Sequence, residues 1–246
     1  MVARLPRLVC GFYFNLLDID QQVLYKKIGL GVADYRASVK VGSVDMKILR
    51  KVFMAISYDN PEFYYWIPNM CEVIGEELLL KYCVEEEEVF SNLAMIRKEC
   101  KRIIEMCKGE QPQTPEEFLA LIYKFLKENV VYAVHALEQS EQPKHIYGMD
   151  GVFLRKEAVC MGIAQAVNYI CQYVRIPHIL VTGEAKIRGV QMKHAWNLVE
   201  VNGKYRHLDV TADICEGNGC TYQYFLLQDW EMTERKWPDG TYPKAE

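Results

Sequence analysis

The chain has no long uninterrupted apolar run, no Cys-x-x-Cys pair, no internal repeat and no low-complexity segment. Each absence excludes something. The apolar stretch at 8–17 is broken by Asn15 and falls well short of the roughly 20 residues that a spanning helix needs. Arg4 and Arg7 precede it as in an export signal. It runs into Asp18-Ile19-Asp20 without a small-residue cleavage site, so residues 1–20 read as part of the fold and no membrane span is expected. Without paired cysteines the common zinc ribbons and fingers have no ligand set, and neither a metal nor another cofactor is expected. Charge of one sign is also scarce: 29 Lys and Arg are interspersed with 33 Asp and Glu, for a net charge of −4. That leaves no basic stripe for nucleic acid. The one charge run, Glu85 to Glu88, reads as the first turn of a helix, where carboxylates complement the macrodipole.

What is present describes a globular protein. Half of the 246 residues are apolar and a quarter are charged, which excludes disorder on composition. The nine cysteines, at 10, 71, 83, 100, 107, 160, 171, 215 and 220, are odd in number and irregular in spacing. A chain this long needs no disulfide framework, so a reducing cytoplasm is expected. Cys215 and Cys220 read as two unpaired thiols in a turn.

Periodicity then places the elements. Ile19, Val23, Leu24 and Ile28 predict one helical face, and Asp45 caps a second helix with the stripe Leu49, Val52, Phe53 and Ile56. That helix stops before Asp59-Asn60-Pro61, because proline excludes the helical conformation from its predecessor. Two short strands flank Gly75-Glu76. A long helix follows, with Val89, Leu93, Ile96, Cys100, Ile103 and Cys107 inward. The polar, proline-containing joint at 108–113 separates a mainly helical N-terminal region, 1–108, from a second domain, 109–246. The second domain opens with a strong helix start: Thr114 caps, Pro115 fills the first position and Glu117 can bond back. Residues 133–150 read as loop.

Chemistry concentrates between 145 and 213. From Val159 the pattern turns helical, with Ile163, Val167, Ile170 and Val174 on one stripe, which puts Cys160 in a first turn. Unpaired backbone N–H groups there favour the thiolate, the reactive form of cysteine. Gly162 costs the helix about 1 kcal/mol relative to alanine, which implies close approach of another backbone or of a substrate. Lys193 to Thr211 reads as a hairpin turning at Asn202-Gly203. The two-residue turn sets His194 opposite Thr211 and Trp196 opposite Asp209. His194 and Asp209 then share a face as diagonal neighbours about 7–8 Å apart at the backbone. A histidine reaching a carboxylate across that diagonal is the geometry of a base and its orienter. His207 lies on the same face and reads as a packed or solvated mid-strand residue.

Three blocks now resemble a known family. Val159-Cys160-Met161-Gly162-Ile163-Ala164, His194-Ala195-Trp196-Asn197 and Leu208-Asp209-Val210-Thr211 are similar, in order and spacing, to the motifs of the transglutaminase-like superfamily. Asp59-Asn60-Pro61-Glu62-Phe63, Val131-Tyr132 and Tyr224-Phe225 resemble a bacterial subgroup that includes suspected cysteine proteases. The resemblance implies an α+β, papain-like fold, with a cysteine-bearing helix packed on an antiparallel sheet. It also implies a catalytic triad of Cys160, His194 and Asp209, with the Cys160 backbone N–H binding the oxyanion. A second oxyanion donor is expected from the segment before the cysteine, where His145 and Tyr147 are candidates by position. The sequence departs from the pattern at Ile163, Ala212 and Arg175, none of which removes a catalytic atom. The implied activity is acyl transfer on a peptide or protein substrate through a thioester, with peptidase or amidase favoured over transglutaminase. The alternative is a non-catalytic module that binds a protein partner. No oligomeric state follows from the sequence.

Overall fold

The computed structural model describes residues 6–216 and 222–246. Contacts divide the chain into two compact units, Met1–Met95 and Ile96–Glu246.

The first unit is mainly helical. It contains α1 (Phe12–Asn15), α2 (Ile19–Ala33), β1 (Ser38–Lys40), α3 (Met46–Asp59), β2 (Glu72–Ile74) and β3 (Glu77–Leu79), with the strands in the antiparallel order β1-β3-β2. Asp45 caps α3, and Leu49, Val52, Phe53 and Ile56 are buried, as the periodicity predicts. The face predicted for α2 is corrected: Ile19 is 80% exposed and Val23 58%. The buried side keeps the predicted Ile28 but runs through Tyr25, Gly29 and Val32. Close packing at the glycines explains why: a Cβ on Gly29 would lie 2.4 Å from Leu8, and one on Gly31 would lie 2.3 Å from Val39. The Asp59-Asn60 pair also gains a purpose. The Asp59 carboxylate accepts the N–H groups of Gly11, Tyr13 and Phe14 and the Tyr25 hydroxyl. Asn60 Oδ1 accepts the Val9 N–H.

Helix α4 (Glu86–Gly109) follows, and the division between units falls within it. The predicted stripe from Val89 to Cys107 is buried.

The second unit continues with α5 (Pro115–Asn129), β4 (Val131–Tyr132), α6 (Val134–Leu137), β5 (Glu157–Ala158) and α7 (Cys160–Val174). The segment predicted as loop therefore contains the short helix α6 and a turn of 3-10 helix at Lys144–Tyr147. After α7 come β6 (His178–Ile187), β7 (Val190–Val201), β8 (Lys204–Leu208), α8 (Val210–Glu216), β9 (Phe225–Leu227) and β10 (Arg235–Lys236). The five strands form one antiparallel sheet in the order β10-β6-β7-β8-β9. Helix α7 packs against β6 and β7. This is the α+β, papain-like arrangement that the resemblance implies.

Two local features fix its geometry. Asn202 and Gly203 both have positive φ, 52° and 75°, which is the turn that a two-residue hairpin requires. Helix α7 ends on Arg175 in the left-handed conformation, φ 62°, so the non-glycine residue does adopt the cap conformation expected there. Among the described residues, no helix is long and apolar enough to cross a membrane. None of the eight described cysteines forms a disulfide; Cys220 lies outside the described residues.

Candidate active site

Cys160 is the first residue of α7, and Val159 ahead of it is extended and provides no side-chain cap. No cap from Val159 therefore covers the first-turn N–H groups. Gly162 shows why this turn accepts no side chain: a Cβ there would lie 2.6 Å from the Ile146 carbonyl oxygen and 2.8 Å from that of Gly148. The backbone of 146–148 thus packs directly against the turn that carries the thiol, and the Val159 N–H donates to the Ile146 carbonyl at 2.9 Å.

The sheet supplies the other two predicted residues. His194 sits in β7 opposite Gly183 of β6. Its Nε2 lies 2.9 Å from Asp209 Oδ2, and both side chains are buried. The predicted register holds from Val201–Lys204 to Asn197–Leu208, and the ladder ends there. Thr211 is therefore not opposite His194; it belongs to α8. The reason lies in Asp209 itself. Its Oδ1 accepts the Ala212 N–H at 3.0 Å, the bond of an N-cap, which stops the strand and starts the helix. One carboxylate therefore caps α8 with one oxygen and meets His194 with the other.

Electrostatics follow from burial and pairing. Burial works against charge on His194, but Asp209 and then the Cys160 thiol outweigh it and lift the imidazole to about 9. Burial likewise opposes the Asp209 charge, yet His194 and then Arg235 hold the carboxyl below its ordinary range. His194 Nδ1, the nitrogen that Asp209 does not use, is buried and makes no close hydrogen bond. Asn197 ties the sheet to the cysteine helix, its side-chain amide donating to the Ala164 carbonyl at 3.0 Å and to Asn168 Oδ1 at 2.9 Å.

Two neighbours of the predicted residues, Tyr132 and Arg235, were not foreseen from the sequence. Tyr132, on β4 beside β5, lies next to Cys160, near both its side chain and its backbone N–H. Burial, more than this neighbour, pushes its phenol above the ordinary range. Tyr147, a candidate by position, instead bonds Gln142, and no bond links His145 to the cysteine. Arg235, on β10, donates from Nε and Nη2 to Asp209 Oδ2 at 3.3 and 3.2 Å. Trp196 donates its indole N–H to His207 Nδ1 at 2.9 Å, while His207 Nε2 meets Asp229 Oδ1 at 2.9 Å. These two partners fix His207 as a neutral tautomer, with Nδ1 accepting and Nε2 donating. His207 is packed, in keeping with the first of its two sequence readings, and burial keeps its pKa low. Among the described residues, no three His, Cys, Asp or Glu side chains converge as metal ligands.

A thiol at a helix start, an imidazole beside it and a carboxylate behind the imidazole form an arrangement suited to nucleophilic acyl chemistry. Residues 104–210 match the model of the transglutaminase-like superfamily. The match covers less than half of the chain and marks a likeness to that superfamily over this stretch. No curated protein matches the chain. Among solved structures it is similar to a TGase, at 15% identity and a TM-score of 0.45 over 83% of this chain and 58% of that one. It is also similar to a proposed cysteine protease from Cytophaga hutchinsonii, at 20% identity and a TM-score of 0.35 over 46% of this chain and 37% of that one. A third is the periplasmic domain of TgpA from Pseudomonas aeruginosa, bound to ethylmercury, at 14% identity and a TM-score of 0.33 over 55% and 60%. The chain thus spans less than two thirds of the length of each.

Proposed function

We propose that the chain is a cysteine-dependent acyl-transfer enzyme in which Cys160, His194 and Asp209 act as a triad. The observation that carries this reading is the 2.9 Å bond from His194 Nε2 to Asp209, which leaves Nδ1 and the ring's charge to the thiol. Cys160 thiolate attacks a peptide or carboxamide carbonyl, forming the carbon–sulfur bond. The resulting oxyanion collapses as the carbon–nitrogen bond breaks, and His194 Nδ1 gives its proton to the leaving amine. Water, activated by the now neutral imidazole, then releases the acid and regenerates the thiolate. An amine in place of water would give a transglutaminase; hydrolysis is the favoured outcome, on the resemblance to suspected proteases.

The oxyanion would form against the Cys160 backbone N–H. Tyr132 lies beside that N–H and the thiol, so the acyl oxygen enters next to the phenol. The phenol O–H then becomes the second donor to the oxyanion. We assign catalysis to 109–246, with 1–108 as an accessory region, and place the protein in a reducing compartment, in keeping with eight described cysteines that form no disulfide.

Profiling with acyl-amide and amine probes tests the reading. Native protein should form a Cys160 thioester that hydrolyses faster than it takes up amine, and Cys160→Ala should form none. No thioester in the native protein, or an equal one in Cys160→Ala, would overturn it and favour the binding module.

A further inference from the structure

We propose that Arg235 is a positioning residue of this site, holding Asp209 ionised and aimed at His194. The proposal rests on the triad reading above and deepens it.

Arg235 is delivered from far along the chain. Strand β10 pairs with the outer edge of β6, Arg235 opposite Ala185 and Lys236 opposite Glu184. Gly183, directly across from His194, makes this possible, because a Cβ there would lie 2.1 Å from the Lys236 carbonyl oxygen. The Arg235 N–H donates to the Met232 carbonyl at 3.1 Å. Its side chain is buried, with the guanidinium 4.1 Å from the centre of the Tyr224 ring. Both donors of its fork go to the Asp209 oxygen that also meets His194, Oδ2. A buried cation needs a buried anion, and this anion is the one that serves the imidazole.

Charge balance explains the arrangement. With Cys160 as thiolate and His194 as imidazolium, Asp209 would leave the cluster with a net negative charge, with His194 and Asp209 buried and Cys160 half-buried. Arg235 brings it to zero. Among the surrounding titratable groups, Asp213 is a further buried carboxylate, and it has donors of its own in Tyr123 and the Gln223 and Tyr224 N–H groups. His207 is held neutral against Asp229, and Tyr224 lies against the guanidinium as a ring. Tyr123 donates its hydroxyl to the Asp209 carbonyl and to Asp213, while Tyr132 lies beside Cys160. Removing a cation raises the pKa of each nearby group, so the thiolate–imidazolium state would assemble only at higher pH.

The test is the pH dependence of Cys160 alkylation by limiting iodoacetamide in native protein, Arg235→Gln, Arg235→Lys and His194→Ala. In Arg235→Gln the acid limb should move up by about one pH unit, a tenfold loss of rate below it. Arg235→Lys keeps the charge but not the fork, so its limb should stay in place while the rate falls. A limb that stays put in Arg235→Gln, or moves equally in Arg235→Lys, overturns the role. If Arg235→Gln does not fold, the Arg235 Nε–H signal in ¹⁵N NMR of native protein decides. It should shift through the same pH range as the alkylation limb, and a signal that stays constant overturns the role. A native limb indifferent to His194→Ala removes the triad, and this role with it. A limb that depends on His194 but not on Arg235 removes the role alone.

Discussion

The indole of Trp196 lies against the imidazole of His194, with ring centroids 5.6 Å apart and ring planes 21° apart. The same indole donates to His207 and is almost fully buried, so it packs the back of the proposed base while satisfying a second histidine. Trp196→Leu should cost about 3–5 kcal/mol through the cavity it opens and the unpaired His207 nitrogen. Trp196→Phe, which keeps a ring, should cost about 1–3 kcal/mol. Urea unfolding midpoints check the order.

Tyr132 gives a prediction that separates acylation from simple thiol reactivity. Alkylation by iodoacetamide forms no oxyanion, whereas attack on an amide does. Tyr132→Phe should therefore lower acyl-transfer kcat about 10²- to 10³-fold, the usual effect of losing one oxyanion donor. Alkylation of Cys160 should change by far less. Equal losses in both assays would mean that the phenol acts on the thiol alone.

The lifted pKa of His194 makes stability depend on pH. Its unfolded value is near 6.5 and its folded value about 9. The stabilisation is therefore fully present below 6.5 and is lost as pH rises through 9. Between those values, native protein should lose stability relative to His194→Gln, with a slope no steeper than about 1.4 kcal/mol per pH unit. Cys160→Ala should keep most of that slope, because Asp209 contributes more than the thiol. Denaturation curves at intervals across this range measure it. A difference that does not vary with pH would mean that the imidazole gains no proton affinity on folding.

How far the sequence reached depended on whether a feature was local. Cys160 at a helix start, the Asn202-Gly203 turn and the face shared by His194 and Asp209 each follow from a few adjacent residues, and the structure starts α7 at Cys160 and pairs His194 with Asp209 at 2.9 Å. The strand's end at Leu208 was missed because Asp209 chooses the cap bond to Ala212 over continued pairing with β7. Tyr132 and Arg235 left no local signal. One arrives through the parallel pairing of β4 with β5, the other from 26 positions beyond Asp209 on an edge strand. Helix α2 misled for a different reason. Its packed face is lined partly by glycines that admit Leu8 and Val39, and a search for large apolar residues passes over these.

The central claim is that Cys160, His194 and Asp209 form one reactive unit, and competitive labelling tests it most directly. Burial raises the pKa of Cys71, Cys100, Cys107 and Cys171, and Cys10 is raised too, for the same reason, despite nearby Lys26. Cys83, expected on a buried element, is exposed, so it and the half-buried Cys215 are the useful internal controls. With limiting iodoacetamide at about pH 6, where an unperturbed thiol of pKa about 8.5 is almost wholly protonated, peptide mapping should find Cys160 labelled at least tenfold faster than either control. His194→Ala should abolish that preference, and Asp209→Ala should weaken it less. Labelling of Cys160 no faster than Cys83, and unchanged by His194→Ala, would contradict the account.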